Sequence, residues 1–380
     1  MNFMEIPFFK PDITKEDKDV IDHALNSKIL TDGNVLREFE KKFAKFVDAK
    51  YAIGVSNATS ALHLSLKSLG IGKGDEVIVP DMTFVATGNS VFLAGATPVL
   101  ADIDENNMNI SIESILENIT KKTKAIIPVH FAGKACKIQE IKKIAKQYNI
   151  SIIEDCAHAI GTKIGKKHVG NFGSLGCFSF YPTKNITTIE GGMIITNSKK
   201  LKNFLIKARN HGISKSLIQR YSKGKPWDYD IKNPGYNYRL DEIRSTLGIN
   251  QLKRIEKLNL KRKKAAEYYN KKLVGVGIKT PGGDRNQSHH LYIIKIKKEF
   301  RIKRDELYLR LLKKNISTSV HYKPLHKFTI FKNYAKKYGS LQNSSNAYEE
   351  ILSLPFYPSI TKKEQDIVIK NILNSNKIFN

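Results

Sequence analysis

Short apolar runs alternate with amphipathic stretches through the first two thirds of the chain. The run YAIGVS (51–56) is followed by ATSALHLSLKSLG, whose alanines and leucines recur at helical spacing and stop at a glycine. Further apolar runs of strand length follow at 76–80, 97–103, 124–130 and 150–155. Strands separated by helices of this length predict a mostly parallel sheet covered by helices on both faces.

The pattern changes after about residue 255. The stretch KLNLKRKKAAEYYNKKL (257–273) predicts an amphipathic helix with a solvated basic face. It is followed by HHLYIIKIK (289–297), ISTSVHY (316–322) and a terminal helix. We therefore predict an α/β protein in which residues 1–250 form a large domain and residues 251–380 a smaller C-terminal α+β domain.

Composition narrows the class of protein. With 380 residues and 41% hydrophobic residues, the chain can bury a sizeable core. No apolar run approaches the roughly 18 residues of a membrane helix, and the start, MNFMEIPFFKPDITKED, does not resemble a secretion signal. Three cysteines, Cys136, Cys156 and Cys177, form no CxxC pair. We expect neither a disulfide framework nor a metal site, and a cytoplasmic location.

The charge of the chain is strongly positive. Lys and Arg total 64 against 36 Asp and Glu, a formal net charge of +28. Such an excess can attract nucleic acid, an anionic membrane surface or a phosphorylated ligand. Because the basic residues are spread along the chain and match no DNA-binding module, we favour a solvated surface. A regulatory nucleic-acid-binding protein stays as an alternative class of function.

Three groups of polar residues follow predicted strands. SNATS (56–60) opens a helix, and a helix start can bind phosphate, although this stretch taken alone is better explained as a plain N-cap. In IIEDCAHA the predicted strand ends with Glu154 and Asp155, which point to opposite faces of the sheet, and His158 follows. FSFYPTKNITTIEGG carries Lys184 after an apolar run. Because ligands collect at the carboxyl ends of parallel strands, these groups are expected to meet.

Together the three groups match the needs of pyridoxal 5′-phosphate. The helix start would take the phosphate, one strand-end carboxylate would keep the pyridine nitrogen protonated, and Lys184 would form the Schiff base. Phe84, after the second strand, is a candidate to pack against the ring. No GxGxxG motif or Walker-type loop competes for the phosphate.

Five stretches carry a family resemblance: SNATSALHLSL, VIVPDMTFVATGNSV, EDCAHAIGTKIGKKHVGNFGSLGCFSFYPTKNITTIEGGMIIT, GYNYRLDEIRSTLGINQL and SVHYKPLH. In order and spacing they resemble the DegT/DnrJ/StrS family of sugar-nucleotide aminotransferases nearly from end to end. The resemblance implies an aspartate aminotransferase-like fold of type I, with a mostly parallel sheet sandwiched by helices in the large domain. It also implies that pyridoxal phosphate is the cofactor and pyridoxamine phosphate its intermediate form.

The resemblance also implies roles for individual residues. Lys184 and Asp155 would be catalytic, as the Schiff-base lysine and the partner of the pyridine nitrogen. The remaining cofactor-binding residues would be Ala58, Thr59, Phe84, His158, Ser179 and Asn237. His321 and Tyr322 would contact substrate from a loop on the substrate side. Separately from the resemblance, the positive charges of Arg220 and Arg239 are expected to help bind the anionic nucleotide diphosphate. Asn237 resembles the residue that extends into the neighbouring subunit of family dimers, which implies a homodimer with shared active sites. His130 is expected to be structural.

The implied reaction moves an amino group from an amino acid, usually glutamate in this family, to a nucleotide-linked keto sugar. The motifs resemble branches that aminate C4 of a 4-keto-6-deoxyhexose for a surface polysaccharide or glycan. A C3 aminotransferase and a 4-keto-pentose acceptor stay open. A non-transaminating relative, such as the family's sugar dehydratases, has histidine at the lysine position, and Lys184 argues against it.

Overall fold

The computed structural model describes residues 5–214, 225–273, 275, 277–281 and 286–376. Helices α1–α8 are Lys15–Leu25, Asn34–Val47, Ala58–Ser68, Val85–Ala94, Ile112–Glu117, Ile138–Gln147, Lys199–Ala208 and Glu242–Lys253. Strands β1–β9 are Tyr51–Val55, Glu76–Pro80, Thr97–Ala101, Thr123–Ile126, Ser151–Asp155, Lys163–Ile164, Lys167–His168, Leu175–Ser179 and Gly192–Thr196. The predicted alternation of strands and helices is confirmed.

A seven-stranded sheet in the order β1-β9-β8-β5-β4-β2-β3 forms the centre of the fold. Strand β9 pairs antiparallel with both β1 and β8, and all other pairs are parallel. Every residue of β2 is buried, as expected for a sheet covered on both faces. On β5, Ile152 packs in the cluster that contains α6, whereas Ile153 packs in the one that contains α3. The mostly parallel, helix-covered sheet is the predicted α/β architecture.

A second, three-stranded antiparallel sheet follows in the chain. Its strands β10–β12 are Ile278–Lys279, Ile293–Ile296 and Ile351–Ser353, and the remaining helices α9–α13 are Ile255–Lys272, Arg304–Leu312, Thr329–Tyr334, Gln342–Glu350 and Lys362–Ser375. Apolar residues of α9, α10 and α13 pack with this sheet. The stretch ISTSVHY (316–322) forms no strand of its own, and only Ile316 and Ser319 make isolated bridges, to Ile6 and Ser353.

The structure also bears on the predictions from composition. The three cysteines are buried and free of disulfide bonds. Among the described residues, no helix has the length and hydrophobicity needed to cross a membrane. The basic stretch 257–273 lies on α9, where Leu258, Ala265, Ala266 and Tyr269 are buried and the lysines face outward or lie at the edge.

Candidate active site

Four strands that run in the same direction deliver the candidate residues to one edge of the sheet. Strand β1 leads into α3, β2 leads to Phe84, β5 ends at Asp155, and β8 ends at Ser179. The shared direction follows from the strand pairings, since only β9 is reversed. A crevice at the carboxyl ends of the strands is the usual ligand site of such sheets.

The start of α3 is a helix N-terminus with part of its backbone uncapped. Asn57 is the N-cap, and its side chain accepts a hydrogen bond from the Ser60 N–H at 2.8 Å. Ala58 and Thr59 are the first two helical residues, so their N–H groups have no partner within the helix. Gly192 of β9 packs against this turn: a Cβ there would lie 2.9 Å from the Ala58 nitrogen and closer still to Asn57. The double glycine in the sequence was the signal for this close approach, and sequence reasoning did not use it.

Asp155 is a buried carboxylate held by two donors. Its Oδ2 accepts from the Thr87 hydroxyl at 2.9 Å, and its Oδ1 accepts from the Ala157 N–H at 3.1 Å. Burial raises the pKa of Asp155, while these bonds and the charge of Lys184 oppose the increase. Each oxygen accepts one of these two bonds and retains acceptor capacity for a further N–H donor. Thr87, on α4, was missed by sequence reasoning because its role depends on a contact 68 positions away in the chain.

Lys184 lies after β8, and its backbone N–H donates to the Tyr181 carbonyl at 2.9 Å. Burial lowers the pKa of its ammonium group to about 8, and the nearby charge of Asp155 partly opposes this. Within the described part of the chain, burial and the charge of Asp155 are the influences on this amine, and its Nζ makes no hydrogen bond or ion pair. The structure therefore brings a partly buried, unpaired amine beside a buried carboxylate, which is the arrangement expected of a lysine that reacts.

Glu154 performs a different task from its neighbour Asp155. It points to the other side of β5, where its oxygens accept from the N–H groups of Gly170, Phe172 and Gly173, each at 2.7 Å. It also binds His130 Nε2 at 3.0 Å. His130 Nδ1 accepts from the Cys136 N–H at 3.2 Å, so both imidazole nitrogens are engaged. His130, Glu154 and Cys156 lie close enough to hold a metal ion, but these bonds give the first two a structural role, as predicted for His130.

We expect Glu154→Gln to lower the free energy of unfolding by about 2–4 kcal/mol. The introduced NH₂ group would face backbone or imidazole N–H donors wherever it points, leaving two buried donors without an acceptor. Urea unfolding followed by circular dichroism measures the change. Glu140→Gln on the exposed face of α6 is the matched control, with an expected change within about 0.5 kcal/mol. Equal stabilities for the two variants would contradict the assignment.

Aromatic and imidazole groups surround the edge of the site. Phe84 is the N-cap of α4 and 53% exposed, and its ring centroid lies 5.9 Å from that of Tyr322. Tyr322 Oη lies 3.0 Å from His158 Nε2. Burial and the charge of Lys184 lower the pKa values of His158 and His321, the latter to about 4. Both imidazoles are therefore neutral at pH 7.

The remaining candidate residues differ in their position relative to Asp155 and Lys184. Ser179 is buried at the end of β8, and its hydroxyl accepts from the Tyr181 N–H at 3.4 Å. Asn237 is exposed and bridges to Asn210, and Arg239 donates to the Asn210 side chain at 2.7 Å. Within the described residues neither makes a contact to Asp155 or Lys184. Arg220 lies outside the described residues. The structure thus brings together Asp155, Lys184, His158, His321 and Tyr322.

A strand-edge crevice with a buried aspartate, an unpaired lysine and an open helix start is the arrangement expected of a pyridoxal phosphate enzyme of fold type I. A model of the DegT/DnrJ/EryC1/StrS aminotransferase family matches residues 11–373. The chain belongs to this family, which confirms the resemblance.

Two solved structures and one further relative extend the comparison. The chain is 38% identical to the spore coat polysaccharide biosynthesis protein SpsC of Bacillus subtilis, covering 97% of this chain and 96% of that protein. It superposes with a TM-score of 0.90 and 31% identity on Helicobacter pylori PseC, an aminotransferase involved in the biosynthesis of pseudoaminic acid, covering 98% and 99% of the two chains. The PLP form of Spr1654 from Streptococcus pneumoniae gives a TM-score of 0.89 at 29% identity, covering 98% and 99%.

Proposed function

We propose that this protein transfers an amino group from an amino acid, glutamate, to C4 of a nucleotide-linked 4-keto-6-deoxyhexose with the help of pyridoxal phosphate. The product would serve a surface polysaccharide or glycan. The unpaired amine of Lys184 beside Asp155 carries the proposal. The similarity to PseC and SpsC supports a role in sugar or polysaccharide biosynthesis.

The residues present fit this cofactor. The first N–H groups of α3, at Ala58 and Thr59, are free to bind its phosphate. Asp155 has acceptor capacity left for the pyridine N–H, and the exposed ring of Phe84 can pack against the cofactor ring. Ser179 would add a hydroxyl to the phosphate site. Lys184 would hold the cofactor covalently, because its amine has no competing hydrogen-bond partner among the described residues.

The chemistry divides between the cofactor and the chain. When bound, pyridoxal phosphate withdraws electrons from the α carbon of the amino acid and, as pyridoxamine phosphate, carries the amino group between two half-reactions. Asp155 keeps the pyridine nitrogen protonated by its negative charge. Lys184 Nζ removes the proton from the α carbon of the amino acid and later delivers a proton to the former keto carbon of the sugar. Transfer in two half-reactions predicts ping-pong kinetics.

The proposed assembly is a homodimer with shared active sites. Asn237 is exposed between Tyr236 and Tyr238, whose rings stack at 5.1 Å. Backbone bonds from His211 N–H to the Tyr236 carbonyl and from Ser56 N–H to the Tyr238 carbonyl hold this segment beside α3. An exposed amide on a firmly held segment suits the proposed contact with the phosphate site of a second copy. Arg239 and Arg220 are proposed to contribute to binding the nucleotide diphosphate.

A panel of keto-sugar nucleotides tests the substrate. The purified enzyme with pyridoxal phosphate and glutamate is given 4-keto-6-deoxyhexose, 3-keto-6-deoxyhexose and 4-keto-pentose nucleotides, and amino-sugar products are identified by mass spectrometry and NMR. Preferred amination of the first at C4 supports the proposal. Preference for one of the others would assign the C3 or pentose alternative, and loss of a sugar hydroxyl without amination would identify a dehydratase.

The reaction of cofactor-free enzyme with pyridoxal phosphate is expected to depend on pH. Since the pKa of Lys184 is lowered to about 8, the amine is an unreactive ammonium below that pH and a nucleophile above it. The second-order rate should rise tenfold per unit below pH 8 and level off above it. Stopped-flow absorbance measures this rate, with the model amine Nα-acetyl-lysine, whose pKa is about 10.4, as the reference. If the rate kept rising up to pH 10, as it does for the model amine, the lowered pKa of Lys184 would be contradicted.

A further inference from the structure

The imidazole of His158 lies between a backbone donor and a phenol. On one side the Ala132 N–H points at Nδ1 at 3.3 Å, and on the other Nε2 lies 3.0 Å from Tyr322 Oη. A backbone N–H can only donate, so Nδ1 must be the acceptor and carry no hydrogen. Because burial and Lys184 lower the pKa of His158 well below its usual value, the ring is neutral with one proton. That proton is on Nε2.

The protonated Nε2 fixes the polarity of the next hydrogen bond. Nε2–H donates to Tyr322 Oη, which acts there as an acceptor. Tyr322 keeps its own hydrogen, because burial and the nearby charge of Asp155 raise its pKa above the usual value. Among the described residues, Oη has no second partner. The hydroxyl hydrogen of Tyr322 is therefore available to a molecule bound in the crevice.

The backbone donor is itself held in place. Ala132 has φ = +54°, the left-handed region that a residue with a Cβ adopts only when its surroundings require it. Its carbonyl accepts from the His290 N–H at 3.0 Å. The Ser288 hydroxyl donates to the His158 carbonyl at 2.8 Å, and the His290 ring lies 4.4 Å from the His158 ring. The orientation of the imidazole is thus fixed before any ligand binds.

The ring of Tyr322 is positioned at the proposed cofactor site. Its centroid lies 5.9 Å from that of Phe84 and 6.2 Å from that of Phe131. Phe84 is half exposed, so the neighbouring space is open to a ligand. We propose that Tyr322 is a fixed hydrogen-bond donor to an oxygen acceptor of the bound ligands, and that Ala132 and His158 are positioning residues that impose this polarity.

Two oxygens share the required chemistry under the proposed function, on which this inference rests. One is the phenolic oxygen of the cofactor and the other is the carbonyl oxygen of the keto sugar. The phenolic oxygen would be an acceptor that carries negative charge when ionised. The carbonyl oxygen would develop negative charge as the amino group adds to its carbon, and it would then leave as water with the two hydrogens of that amino group. A neutral donor of fixed direction stabilises such an oxygen without a proton being transferred.

The tautomer of His158 is tested first, on cofactor-free protein, so that this result does not depend on the proposed function. Long-range ¹H–¹⁵N spectra of histidine-labelled protein, with the His158 signals identified by their loss in His158→Gln, report which nitrogen carries the proton. An Nε2–H tautomer near pH 7.5 is expected. An Nδ1–H tautomer or an imidazolium would overturn the proposal.

Tyr322→Phe is tested next in the loaded enzyme, with Tyr269→Phe as the control. Tyr269 also has a buried hydroxyl, bonded to the Pro355 carbonyl at 3.2 Å, but it lies in the cluster around the second sheet. If Tyr322 donates to the cofactor, removal of its hydroxyl changes the pH dependence of the cofactor's visible absorption and slows both half-reactions. If it donates to the sugar, only the second half-reaction slows, by about 10- to 100-fold. Half-reactions and spectra equal to those of the control would refute the assigned donor.

Discussion

Replacing Lys184 with alanine is expected to reduce the rate of amino transfer by about 10⁴-fold or more. The substitution removes both the nucleophile that would hold the cofactor and the base that would move the proton at the α carbon. Among the described residues, Lys184 is the lysine whose charge interacts with Asp155, His158 and His321, so no other described lysine is placed to replace it. Single-turnover measurements with glutamate and saturating pyridoxal phosphate determine the effect.

A covalent readout accompanies the rate. Borohydride reduction of the enzyme incubated with pyridoxal phosphate, followed by peptide mass mapping, is expected to place the cofactor on Lys184 and nowhere else in stoichiometric amount. Lys166→Ala, at an exposed lysine between β6 and β7, is the control and should retain both activity and labelling at Lys184. Full activity of the Lys184 variant, or labelling of another residue, would refute the assignment. The net positive charge of the chain would then be the main clue to its function.

The second large effect is expected for Asp155→Asn, a loss of about 10²–10³-fold in both half-reactions. The amide oxygen can still accept one of the bonds from Thr87 and Ala157, so the site should keep its shape. A neutral side chain cannot hold the pyridine nitrogen in its protonated form, however, and the cofactor ring then withdraws electrons less strongly. Half-reaction rates measured by stopped-flow absorbance test this, together with the dissociation constant of pyridoxal phosphate.

Glu154→Gln, the stability variant proposed above, is the natural control because it changes the adjacent residue in the same way. Asp155→Asn is expected to lose activity and keep its unfolding free energy, whereas Glu154→Gln is expected to lose stability and, while folded, keep most of its activity. The opposite pattern, an active Asp155→Asn enzyme, would show that another group protonates the cofactor.

Sequence alone predicted the parts of the site that depend on local pattern. The apolar runs predicted the ends of β5 and β8. The alternation of side chains along a strand predicted that Glu154 and Asp155 lie on opposite faces of the sheet. Thr87, Ala132 and Ser288 could not be found in this way. Each acts through a contact with a residue far away in the chain, and threonine, alanine and serine are too common for their type to signal such a role.

The stretch ISTSVHY (316–322) shows a related limit. Its alternating residues favour extended backbone, but a strand also needs a partner of matching length, and here only two isolated bridges form. The same segment nevertheless delivers His321 and Tyr322 to the site, which the pattern of apolar residues could not indicate. The residue pattern of this segment bears only on its backbone conformation. Its function depends on the residues that His321 and Tyr322 contact.

The contacts of His158 have a consequence for how the protein is made. All strands of the seven-stranded sheet, together with Asp155 and Lys184, lie before residue 197. Three residues that contact His158 are synthesised later: Ser288, His290 and Tyr322. The strands that lead to Asp155 and Lys184 are therefore synthesised before the residues that direct a ligand. The residues that orient a ligand lie in the last quarter of the chain. A prematurely terminated chain would therefore have Lys184 without the groups that orient its substrate.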